Sequence, residues 1–66
     1  MKRLKINPLI YSHNTVKQAI TAYRNYAFIT TEQKNDDIFL IFENCKYDEE
    51  QTIKEFENYM IGLENS

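Results

Sequence analysis

His13 and Cys45 are the chain's one histidine and one cysteine, the side chains best suited to base or thiolate chemistry near neutral pH. A histidine base needs an oriented partner and a reacting group within hydrogen-bond reach. No spacing in the sequence supplies either, so His13, just ahead of a helix, reads as an exposed or cap-associated residue. Cys45 precedes Lys46, whose charge would favour a thiolate at close range, yet it follows a hydrophobic strand where burial is the competing expectation. Asp48, Glu49 and Glu50 crowd a helix start and read as capping residues rather than metal ligands; Glu57 and Glu64 read as solvated. A single cysteine excludes an internal disulfide framework and a four-cysteine zinc site. The expectation is a chain with no catalytic residue, metal or cofactor.

The elements that would position these residues emerge from periodicity. Arg3, Lys5 and Asn7 alternate with Leu4 and Ile6, a short strand with one apolar face that ends near Pro8. Leu9, Ile10 and Tyr11 lead toward a helix capped by Ser12 or Asn14, with Thr15 and Gln18 as a second capping register. Val16, Ala19, Ile20, Tyr23 and Ala27 form its apolar stripe, and no glycine marks its end. Residues 28–33 favour a strand, Lys34, Asn35, Asp36 and Asp37 a turn, and residues 38–43 a second strand, together a hairpin. Ile38, Leu40 and Phe42 lie on one face of that strand and Phe39 and Ile41 on the other, which places it centrally in a sheet. Asp48 caps the last helix, with Gln51 at the third helical position. Its stripe is Ile53, Phe56, Met60 and Leu63, with Tyr59 beside it, and Gly62 is an alternative stop.

The order βαββα gives an α+β fold in a single domain spanning 1–66, a three-stranded antiparallel sheet of order 1-3-2 packed by two helices. If both helices cover one face, the other shows Phe39 and Ile41 with Phe28 or Thr30 nearby. A continuous apolar patch of that kind has a partner or an intramolecular cover. The candidate interface is therefore Phe28, Thr30, Phe39 and Ile41, joined by Tyr47 from a chain unusually rich in tyrosine, with five: Tyr11, Tyr23, Tyr26, Tyr47 and Tyr59.

Composition bounds the function classes. The 66 residues are 42% hydrophobic and 27% charged with one Gly and one Pro, which excludes a disordered or linker-like chain. A domain this small buries roughly 60% of its unfolded surface, so its stability rests on good packing or a partner. No apolar run is long enough for a signal peptide or a membrane span, and the cytoplasm is the expected location. Net charge is −2, unevenly spread: residues 1–33 carry a formal +4 and residues 34–66 a formal −6. The basic half offers Lys2, Arg3, Lys5, Lys17 and Arg24 as a possible nucleic-acid surface. Against it stand the acidic second half, a central strand without basic residues and the lack of a phosphate-cradling glycine loop.

Tyr11, Ser12, Val16, Ala19, Tyr23, Ala27 and Phe28, followed by the apolar strand 38–42, carry a resemblance. Over roughly residues 10–61 the chain resembles the small D protein of the His-Xaa-Ser peptide-modification system. That resemblance implies an accessory protein working beside radical SAM maturation enzymes and a peptide substrate, and it brings no catalytic residues with it. The combined expectation is a non-enzymatic accessory or adaptor that binds a protein or peptide, or a second copy of itself as a homodimer. The alternative is a small nucleic-acid-binding or regulatory protein using the basic half.

Overall fold

The structure, a computed structural model, describes residues 2–65. The elements follow the order β1 (Lys2–Ile6), α1 (His13–Tyr23), β2 (Phe28–Lys34), β3 (Asp37–Glu43) and α2 (Glu49–Glu64). β3 is the central strand, antiparallel to both neighbours, so the spatial order is β1-β3-β2 and the two edge strands run parallel to each other. This is the sequence-derived architecture, and the reason is visible in β3: only the middle position lets a strand with apolar residues on both sides shelter its backbone twice.

Register assigns the faces. Leu4 lies opposite Leu40, Ile6 opposite Ile38, and Ile29 opposite Phe42. These residues share the side on which Val16 and Ala19 of α1 and Phe56 and Met60 of α2 complete the core. Leu40, Phe42, Phe56 and Met60 are wholly buried. Phe56 is the keystone, edge-on to Phe42 at 5.2 Å and to Tyr23 at 5.4 Å between ring centroids. Both helices therefore sit on one side of the sheet. The molecule measures 29 × 29 × 17 Å, the thickness of two layers rather than three.

Local chemistry sets the element ends. Ser12, one of the three cap positions the sequence left open, receives the Thr15 amide on its Oγ at 3.2 Å. α1 stops at Tyr23, earlier than its apolar stripe suggested: the Tyr26 and Ala27 amides both donate to the Tyr23 carbonyl, closing a turn without glycine. Ala27 keeps its expected burial from outside the helix. The hairpin turn is tighter than expected, with Lys34 and Asp37 paired and only Asn35 and Asp36 in the connection. Asn35 takes φ 56°, a left-handed conformation that asparagine tolerates better than most residues. Asp48 caps α2 as expected, its carboxylate accepting from the Gln51 amide at 3.0 Å. The helix runs through Gly62, which does not end it.

Candidate functional site

Four of the five candidate interface residues share the helix-free side of the sheet. Ile41 lies between Arg3 and Thr30, Phe39 lies between Lys5 and Glu32, and Phe28 stands at the end of the same face opposite Glu43. Phe28 is 60% exposed, whereas Phe39 and Ile41 are half-buried although no helix covers them. The cover is charged. Arg3 reaches diagonally across β3 to Glu32, with Nη1 to Oε1 at 3.7 Å, and Lys5 reaches Asp37 at 3.7 Å. Edge strands on either side of a third lie about 10 Å apart. The Arg3 and Glu32 side chains must therefore lean over β3, and their methylene stems shield the apolar pair beneath.

This cover is weakly held. All four charged side chains are about half exposed, with relative exposures of 43–63%. Ion pairs in that setting are worth about 0–1 kcal/mol, so displacing them costs a docking partner little. The face thus combines a central apolar strip with a basic edge on β1, carboxylates of Glu32, Asp37 and Glu43 on the β2 and β3 side, and Lys34 at the end of β2.

Tyr47 does not join this face. It lies in the connection to α2, 62% exposed, with its ring 6.2 Å from that of Tyr26. The Lys46 amide donates to the Tyr26 carbonyl at 2.7 Å, which pins the connection to the turn after α1. Tyr23, Tyr26 and Tyr47 then line a recess of about 280 Å³ together with Thr52 and Glu55 of α2. Nothing in the sequence indicated that grouping beyond the number of tyrosines. The outward setting of Leu9, 94% exposed, and of Ile10 was equally unforeseen. The Asn7 side chain accepts from the Leu9 amide at 2.9 Å and the Asn7 carbonyl from Ile10 at 3.0 Å, a turn that points both side chains away from the core.

The basic candidates are divided. Arg3 and Lys5 are engaged on the helix-free face. Lys2, on the helix side, donates to Glu50 at 2.9 Å, a hydrogen bond that raises the lysine pKa and keeps it charged beside its partner. Lys17 lies along the exposed side of α1, and Arg24 follows its last turn. The five residues make no single stripe.

His13 opens α1 in an exposed position. Cys45 packs partly buried against the core, and burial, then the Glu49 carboxylate, push its thiol pKa up, away from a reactive thiolate. Among the described residues, no group of three His, Cys, Asp or Glu side chains is placed to hold a metal ion. No helix among them is long and apolar enough to cross a membrane. No protein-family model matches the chain, and comparisons with curated proteins and with solved structures find no match.

Proposed function

We propose that this chain is a non-enzymatic accessory protein that docks through the helix-free face of its sheet, with a second copy of itself as the occupant. The observation that carries the reading is the apolar strip of Phe28, Phe39 and Ile41 under ion pairs that a partner can displace at small cost. Self-association has a charge argument. A two-fold axis parallel to the strands lays β1 of one copy over β2 of the other, which brings Arg3 and Lys5 toward Glu32 of the partner copy, the one carboxylate on that face of β2, with Lys34 at the end of the same strand. The alternative axis, across the strands, opposes two basic edges.

Size tempers the affinity. Three strands of five to seven residues present a face of roughly 14 × 24 Å. An interface of that extent falls below the roughly 1,200 Å² of total buried surface typical of stable complexes, so the dimer is concentration-dependent. A maturation peptide or its radical SAM enzyme, the partners implied by the resemblance to the small D protein, would use the same strip. The nucleic-acid reading has less support, because three of its five basic residues are paired with carboxylates and the five are spread over both sides of the sheet. We assign the protein to the cytoplasm.

The test is solution mass by light scattering across a concentration series. The expected result is a rise from 7.9 kDa toward twice that value. Ile41→Asp should hold the chain monomeric while leaving its circular dichroism intact. A mass that stays monomeric at every concentration overturns self-association, and an Ile41→Asp chain that unfolds overturns the assignment of Ile41 to a surface.

A further inference from the structure

We propose that the tyrosine recess between the end of α1 and the start of α2 is a binding site for a methylated ammonium group. Three aromatic rings from two stretches of chain meet there, Tyr23 and Tyr26 from the end of α1 and the turn after it and Tyr47 from the connection to α2. Tyr23 and Tyr26 lie 5.8 Å apart at 60°, and Tyr26 and Tyr47 lie 6.2 Å apart at 36°. Glu55 places a carboxylate in the same wall. Aromatic faces carry negative potential and attract cations within about 6 Å, and they favour cations that shed water easily.

Charge, size and shape select the ligand. Residues 46–57 hold two lysines against five carboxylates, a formal −3, so the surroundings favour a cation. Burial, and after it the Glu55 charge, push the Tyr23 phenol pKa up, which agrees with a carboxylate close to that ring. A volume of about 280 Å³ suits one side chain or headgroup, since pockets for drug-sized molecules begin near 300 Å³. A bare ammonium needs several acceptors to replace its water, and among the groups lining the recess only Glu55 is a carboxylate. A flat guanidinium makes its best contact stacked on one ring face, which leaves the inclined neighbouring walls uncovered. Walls meeting at 60° and 36° instead fit a round group. The chain's own Lys46 already sets its ammonium 5.8 Å from the Tyr47 ring, so that ring engages a cation even in the isolated molecule.

The site lies apart from the helix-free face and stands or falls independently of docking there. The test is an NMR titration of the full chain with tetramethylammonium. Saturable shifts confined to residues around Tyr23, Tyr26, Tyr47 and Glu55 are expected, with a dissociation constant on the order of 1–10 mM. Tyr47→Ala and Glu55→Gln alter exposed side chains and should each weaken binding about two- to fivefold. Ile41→Asp should leave it unchanged. Trimethyllysine and choline, titrated separately, distinguish a modified protein side chain from a free headgroup. Equal binding of the neutral isostere 3,3-dimethylbutanol would show a merely apolar recess and overturn the proposal. Tighter binding of methylguanidinium, or no saturation by about 100 mM tetramethylammonium, overturns it as well.

Discussion

Burial decides the chemistry of Cys45. With its thiol pKa raised and its side chain partly buried against the core, it is protonated at neutral pH and only partly open to reagents. An aromatic disulfide reagent at pH 7 should therefore modify the native chain at least about tenfold more slowly than the chain in urea. Equal rates would mean that the connection after β3 does not shelter the thiol. Glu64 shows the opposite shift. The Ser12 amide donates to its Oε2 at 2.8 Å, and this hydrogen bond, then the Thr15 hydroxyl, lowers the carboxyl pKa. A carboxyl lowered on folding contributes stability that is fully present above its unfolded value of about 4.3 and is lost as pH falls through the lower folded value. Glu64→Gln should thus be less stable than the parent at pH 7, and the gap should close below about pH 4 in urea melts. A gap that persists at pH 2 would show that the charge is not what ties α2 to the start of α1.

The helices are where single substitutions give clean readings. Asp48 caps α2, and Glu49 and Glu50 complement the positive end of its dipole. Asp48→Ala should cost about 1 kcal/mol, seen as a lower urea midpoint with an unchanged slope. Gly62 gives the opposite outcome. It lies within α2, takes no positive φ, and a Cβ added there would meet nothing within 4 Å. Gly62→Ala should stabilise the chain by about 0.5–1 kcal/mol. No gain would imply that the last turn of α2 is already frayed. The cap of α2 was legible because it is written in a few adjacent residues, whereas the start of α1 offered Ser12, Asn14 and the register of Thr15 with Gln18, and only the structure chose Ser12. The end of α1 was not legible, because the turn that closes it uses backbone groups of Tyr23, Tyr26 and Ala27 and no characteristic side chain.

At the scale of the molecule, two layers leave a thin margin. A chain of this length has about 3–10 kcal/mol of stability in all. Phe56 joins α2 to β3 through Phe42 and to α1 through Tyr23, and it is wholly buried. Phe56→Ala should cost about 3–5 kcal/mol and leave much of the population unfolded at 25 °C, read by near-ultraviolet circular dichroism. A cooperative melt close to the parent's would place the keystone elsewhere. The same thinness explains the helix-free face, since a third layer would have buried Phe39 and Ile41 within the chain.

Alternation and capping in the sequence determined the five elements, the central place of the strand 38–42 and the division of Phe39 and Ile41 from Leu40 and Phe42. These are properties of one stretch of chain: a pleat or a helical turn assigns each side chain its direction from its own neighbours. Tertiary structure alone decided what stands beside what. The Arg3 and Glu32 side chains cross above β3 because register sets their strands on either side of it. Tyr23, Tyr47 and Glu55 share a recess because α1 packs on α2 while the Lys46 amide holds the connection to Tyr26. Such groupings join residues far apart in the chain, and they arise from packing and register, which no local period encodes.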